Sequence, residues 1–363
     1  METIAIIGAG ASGLACMNIL NQTKQYDILV LEQSLKSARK ILASGNGRCN
    51  VSNKNMDISF YNTTSPLIQE IISDFDIYHF FDCLSLKLRE EGDLIYPYSL
   101  SSLSVKNALL KQADGISLIE QCEVIDIKKE KQYGLITNQG VYFADKVVIA
   151  TGSPASDLSG NHNLDMLKKM KVACLPFVES LVQLKTKEVY KSLKGLRVKG
   201  IAKLYDHHTF IDQKKGEILF TDYGLSGICI MQLSRYLDHV KKPVIHLDLL
   251  PDLEKKDLDY YHEDGLFHEK LAKLLQEKQL YAKNLVFHVN GTMGIKKAQV
   301  CHGGVCLDEV DESLQLKKYP GIYVCGEALD FDGDCGGYNL HFAFASGTHV
   351  AKHIIGESYV KDK

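Results

Sequence analysis

The chain has 363 residues, 45 % of them hydrophobic and 24 % charged, with a formal net charge of −3. That balance excludes a disordered chain, a collagen and a coiled coil, and the length suits two or three domains. The slight acidity gives no global attraction to nucleic acid or to an anionic membrane, and no apolar run approaches the ~20 residues of a membrane span.

At the N-terminus, Thr3-Ile4-Ala5-Ile6-Ile7 is a short apolar strand, Leu14 to Leu20 has helical spacing, and Tyr26 to Leu31 is a second strand. This is a βαβ unit of a parallel sheet. The apolar stretch from Ile4 to Leu20 holds three glycines and lacks a basic leader, so it is a poor signal peptide. Ile58 to Leu110 reads as mostly helical, on the spacing of Leu67, Ile68, Ile71, Ile72 and Phe75. Strands follow at Ser117–Ile119, Cys122–Ile127, Tyr133–Thr137, Val141–Phe143 and Lys146–Ala150, with Asn138-Gln139-Gly140 as a hairpin turn. Leu181 to Phe220 alternates apolar and charged residues, as antiparallel strands do. Asp257 to Lys283 is a charged helical stretch with Leu266, Leu271, Leu274, Leu275 and Leu280 as its apolar positions. Gly321–Gly326 returns to a buried strand, and Leu340 to Ile355 closes the chain as a helix. The expected architecture is α/β. One discontinuous nucleotide-binding domain (1–172 and 306–363) carries an inserted β-rich domain (173–305) with a helical part at about 250–284.

The strand-to-helix turn is Gly8-x-Gly10-x-x-Gly13, with Ala11 and Ser12 in the loop. Gly8 permits the tight turn, Gly10 lets backbone approach a pyrophosphate, and Gly13 lets helix and strand pack closely. Glu32, followed by Gln33, ends the second strand, where a carboxylate accepts hydrogen bonds from an adenosine ribose. Further tight turns at Ala150-Thr151-Gly152, at Gly326-Glu327 and at Gly336-Gly337 suit a long cofactor lying across the domain, which favours FAD over NAD. The helix beginning at Gly337-Tyr338-Asn339-Leu340 would point its N-terminus at the N1/O2 edge of the flavin. The loop Lys40–Asn50, with Ser44, Gly45, Asn46, Gly47 and Cys49, offers backbone amides and the cations Arg39, Lys40 and Arg48 to phosphate or to flavin carbonyls. Tyr338, Arg48 and Asp222 are the candidate catalytic residues.

Three segments carry a resemblance: Arg39–Asn53 (RKILASGNGRCNVSN), Gly216–Ser234 (GEILFTDYGLSGICIMQLS) and Gly326–Gly347 (GEALDFDGDCGGYNLHFAFASG). Together with the N-terminal fingerprint, they resemble the FAD-dependent aminoacetone oxidase family, also described as bile-acid-reductase-like flavoproteins. The resemblance implies a two-dinucleotide-binding-type flavoprotein fold with a β-barrel-like insert and a small helical subdomain. It also implies FAD contacts from Gly8 to Gly13, Glu32, Lys40, Ser44 to Asn50, Val124, Thr151-Gly152, Gly326-Glu327 and Gly337 to Leu340. This chain departs from the family's pattern at Asp222 (usually His), at Ile228 (usually Pro), at Gly160-Asn161-His162-Asn163 and at Cys301–Val305, and its helical insert looks short. Most of these departures lie on or near the insert, which points to a substrate of its own.

The expected function is hydride transfer between flavin N5 and a small organic substrate. Reduction of an activated C=C bond leads, with NAD(P)H or another donor as the source of electrons. Amine oxidation by O₂ is the runner-up, and a non-enzymatic flavin redox module is the alternative of another class. An RNA-modifying flavoenzyme is disfavoured by the acidic balance. The Cys301-x4-Cys306 spacing is read as two reduced thiols rather than a redox disulfide. The lysine-rich run from Lys185 to Lys203 is read as a solvated strand face, and His207-His208 lacks a third metal ligand. Ten scattered cysteines without a CxxC pair suggest a reducing, cytoplasmic setting.

Overall fold

The computed structural model describes residues 1–356 apart from 112, 114, 161–163, 255 and 258–262. The Asn161-His162-Asn163 segment and part of the 257–283 stretch therefore lie outside the described residues. The chain forms two compact units, one of residues 1–177 with 300–363 and one of residues 178–299. The second unit is narrower than the 173–305 read from sequence.

In the first unit, five strands make one parallel sheet. Its order is Ile322–Val324, Lys146–Ile149, β1 (Glu2–Ile7), β2 (Tyr26–Leu31) and Ser117–Ile119. β1 is apolar and buried from Ile4 to Ile7, as a central parallel strand is when both faces are covered; helix Ala11–Thr23 and the strand Gly140–Ala144 of a separate antiparallel sheet pack against it. α1 (Ala11–Thr23) leads from β1 to β2, and the C-terminal helix Tyr338–Ile355 packs against it. The helices approach closely because Gly347 lies against the Ser12 carbonyl, where any Cβ would clash. The chain leaves β1 toward β2 on one side, while Lys146–Ile149 enters on the other. This is a topological switch point, and crevices for ligands open at the carboxyl ends of such strands.

The region from Ile58 to Leu110 is less helical than its spacing suggests. Helices Pro66–Ser73, Ile77–Cys83 and Ser102–Lys111 are interrupted by a hairpin of Leu88–Glu91 with Leu94–Pro97, to which Ser52–Asn53 adds a third strand. Gly92, at φ +66°, makes the turn. The run Arg89-Glu90-Glu91 carries no apolar alternation, so the first hairpin strand has no period to read. The hairpin at Asn138-Gln139-Gly140 forms as expected, with Thr137 opposite Gly140.

The second unit is a closed six-stranded barrel of Leu184–Thr186, Gly224–Ser226, Thr209–Phe220, Arg197–Asp206, Pro243–Asp248 and Leu285–Thr292. Leu184–Thr186 closes it by pairing on both sides. Helix Glu269–Lys278 contributes Leu271, Leu274 and Leu275 to its core, at the helical spacing seen in the sequence. No described helix is long and apolar enough to cross a membrane.

Candidate functional site

The fingerprint loop lies at the carboxyl end of β1. Gly8, at φ +107°, is followed by Ala9, whose amide donates to Glu32 Oε2 at 2.8 Å. Glu32 Oε1 accepts from the Ser34 amide at 2.7 Å. The buried carboxylate thus ties the first loop to the end of β2, and each oxygen retains lone-pair capacity for a ligand hydroxyl. Gly13 sits where a Cβ would run into the Gly8 carbonyl, so the protein itself demands glycine there. Gly10 differs. Its φ of −87° is open to any residue, and a Cβ on it would meet no protein atom within 4 Å. The space over Gly10, at the N-terminus of a 13-residue helix, is a cradle that a side chain would fill.

The loop after β2 begins with α2 (Arg39–Ala43) and then turns through Ser44–Gly47. Gly45, Asn46, Gly47 and Cys49 all have positive φ, between +54° and +83°. For Asn and Cys this backbone is costly, and such strain gathers where loops clamp ligands. Asn50 Oδ1 is buried and has no partner, which is a vacancy for a donor. Lys40 Nζ reaches Glu327 Oε2 at 2.6 Å, and Ser153 Oγ donates to the same oxygen at 3.0 Å. Glu327 therefore joins α2, the turn after Lys146–Ile149 and the turn after Ile322–Val324. Arg48 pairs with Glu91, and its guanidinium lies over the Tyr96 ring at 4.5 Å, so its charge is already engaged by the hairpin. Burial pushes the Cys49 thiol up to about 11, which keeps it protonated and unreactive near neutrality.

The third segment is the turn into the C-terminal helix. Gly337, at φ +97°, presses on the Ser52 carbonyl where a Cβ would clash, and Asn53 Nδ2 donates to the Gly336 carbonyl at 3.0 Å. The helix N-terminus has no side-chain cap, so its first amides remain available. Asn339 turns its side chain back. Its Oδ1 accepts from the Gly333 amide and its Nδ2 donates to the Gly333 carbonyl, both at 2.8 Å, so the side chain braces the turn. Tyr338 is buried. Its ring stacks on Phe60 at 4.5 Å, and its carbonyl accepts from the Tyr61 hydroxyl at 2.8 Å. Burial, with Asp334 and Asp93 nearby, pushes the Tyr338 phenol up to about 12.

The structure thus brings the fingerprint loop, Glu32, Lys40, Ser153, Glu327 and the strand Ser52–Asn53 into one unit around the switch point. Ala150 and Gly152 follow Lys146–Ile149, with Gly152 at φ +69° beside Glu327. Val124 opens the strand Val124–Lys129, and the side chain of Gln33 lies against Gly160. Asp222 belongs to the barrel unit. It is exposed and bonded to Lys194 at 2.6 Å, and that ammonium holds its carboxyl below the usual range. An ionised, solvated carboxylate is a poor proton donor near pH 7. Sequence reading missed Ser153 and His341. Ser153 carries no motif, and the partners of His341, Ser52 and Ile72, are remote in the chain. Among the described residues no group of three His, Cys, Asp or Glu could hold a metal ion.

These residues fit an FAD. The pyrophosphate would lie over Gly10 at the α1 N-terminus, the ribose at Glu32, and the flavin against the 44–50 loop and Gly337–Leu340. The model of the HI0933-like protein Rossmann domain matches residues 2–353. A 3-dehydro-bile acid delta(4,6)-reductase of Clostridium scindens is 30% identical, over 96% of this chain and 97% of that protein. A ribosomal RNA dihydrouridine synthase of Escherichia coli is 26% identical over the same shares. Among solved structures, the open form of a flavocytochrome c3 fumarate reductase matches at a TM-score of 0.47 and 16% identity, over 97% of this chain and 78% of that one. The chain belongs to the HI0933-like Rossmann-domain family, and it is an FAD-dependent oxidoreductase.

Proposed function

We propose that the protein reduces a carbon–carbon double bond conjugated to a carbonyl in a small organic substrate, drawing electrons from NAD(P)H or another soluble donor. The observation that carries this reading is a shared chemistry. The two full-length relatives named above are a delta(4,6)-reductase of a 3-oxo steroid acid and a dihydrouridine synthase. Both names describe saturation of a C=C bond polarised by a carbonyl. The greater identity to the first, with the net charge of −3, favours a small molecule over RNA. The ten scattered cysteines, without a CxxC pair, favour a cytoplasmic setting.

Bound FAD supplies hydride chemistry. The chain's own residues hold and tune. The amides from Tyr338 to Leu340 offer a positive helix end to developing negative charge. Glu32 orients the nucleotide end, and Lys40 with Ser153 holds Glu327 in place. Tyr338 keeps its proton through neutrality and is the candidate to deliver it to the substrate carbon.

The test is spectroscopic. The purified yellow protein is reduced anaerobically with NADPH or NADH, then offered an α,β-unsaturated ketone, uridine-containing RNA, or O₂. Rapid reoxidation by the enone supports the proposal. Reoxidation by RNA alone makes the second relative's chemistry the better guide. Reduction by an amine, with turnover on O₂ only, identifies an oxidase, and a flavin inert to every donor identifies a binding module.

A further inference from the structure

We propose that His341 is a positioning residue that, through Ser52, fixes the first turn of the C-terminal helix and so sets how strongly that helix end favours the reduced cofactor. The proposal rests on the reading that the flavin edge faces Gly337–Leu340. His341 lies in that first turn and is 3% exposed. Its Nε2 lies 3.1 Å from the Ile72 carbonyl and its Nδ1 2.8 Å from Ser52 Oγ. A carbonyl only accepts, so Nε2 carries the proton, Nδ1 presents its lone pair, and the Ser52 hydroxyl donates to it. The ring is also held edge-on to Phe75 at 5.3 Å.

Both nitrogens are therefore committed, to two elements that approach the helix from different places in the chain. Ser52 holds the same turn a second time, because its carbonyl abuts Gly337, and its neighbour Asn53 grips the Gly336 carbonyl. The amides from Tyr338 to Leu340 lie between these fixed points. An aliphatic side chain at 341 would fill the volume but leave the Ser52 hydroxyl and the Ile72 carbonyl without this partner. The helix start would then relax away from a defined position, and preorganised dipoles act strongly only while they are held in place.

The experiment measures FAD content, thermal midpoint and two-electron midpoint potential, the last against a dye of known potential, in four variants. His341→Leu is expected to keep its FAD but to lose tenfold in its preference for the reduced form, a fall of about 30 mV for a two-electron couple. His341→Gln, which can donate to Ile72 and accept from Ser52, restores the potential. Ser52→Ala, which removes one arm only, shifts it in the same direction by less, and carries the test if His341→Leu does not fold. Asn339→Asp places a carboxylate at the helix N-terminus and lowers the potential wherever the flavin edge faces that terminus. If Asn339→Asp lowers the potential while His341→Leu and Ser52→Ala leave it unchanged, the positioning role is overturned and the flavin seat stands. If none of the variants moves it, the seat itself is wrong and the inference falls with it.

Discussion

The two glycine-bearing ends of the cofactor unit use the residue for opposite reasons. At the C-terminal turn, Gly337 is bare because the protein is already there: the Ser52 carbonyl fills the place of a side chain, and φ is +97°. At the N-terminal loop, Gly13 is bare for the same reason, but Gly10 is bare although no protein atom lies within 4 Å of where its Cβ would stand. A glycine required by packing reports on the fold, whereas one facing open space at a helix N-terminus reports on a ligand. Sequence motifs merge these cases, and only the surroundings of each Cβ separate them.

The sharpest way to break that distinction is a pair of substitutions. Gly13→Val should abolish folding, at a cost of about 4 kcal/mol or more, because its side chain meets the Gly8 carbonyl. Gly10→Val should fold with a near-native thermal midpoint and contain no FAD. A yellow Gly10→Val protein would remove the ligand reading of that glycine. Mild acid tests two buried histidines of the C-terminal helix. Burial holds His341 and His349 down to about 4, against 6.5 for a free histidine. The unfolded chain therefore binds these protons more readily, and stability should fall as the pH drops from 6.5 toward 4. The effect is on the order of 3 kcal/mol per histidine, and it is absent above 6.5. Urea melts of the wild type and of His349→Gln at pH 5 and pH 8 check this: the variant should narrow the gap between the two pH values. Glu32→Ala acts on the N-terminal side. It strips the Ala9 and Ser34 amides of a buried acceptor and should cost about 2 kcal/mol, with weaker FAD retention, measured by denaturant titration and by cofactor release. The link between the two ends should matter least for stability. Lys40→Met breaks a half-buried pair with Glu327 and should cost less than about 1 kcal/mol in the same titration.

Much of this fold was legible because its signals are local. The βαβ unit, the hairpin at Asn138-Gln139 and the face of Leu271, Leu274 and Leu275 all lie within one or two turns of chain. The hairpin Leu88–Pro97 was not legible, because Arg89-Glu90-Glu91 shows no alternation and the pairing of Ser52 with Ile95 crosses some forty residues. For the candidate site, the motifs point to backbone positions and say nothing of what the side chains bond to. Asn339 is expected at the cofactor from its motif, and the structure adds that its amide group braces the turn at Gly333. Arg48 is expected as a cation for phosphate or for flavin carbonyls, and the structure adds that it is bonded to Glu91 and stacked on Tyr96. Such roles depend on partners brought in from distant segments, and no spacing rule contains them.

The order of the central sheet has a consequence for how the protein is made. Lys146–Ile149 takes its outer neighbour, Ile322–Val324, from beyond the entire barrel, and the helix that covers α1 is later still. A chain growing from its N-terminus therefore exposes an unpaired apolar edge throughout synthesis of the barrel. During that interval it holds the dinucleotide loop but not the turn at Gly337. Cofactor capture is then expected late, with closure of the sheet. A nascent chain stalled before Ile322 should neither retain FAD nor escape edge-to-edge association.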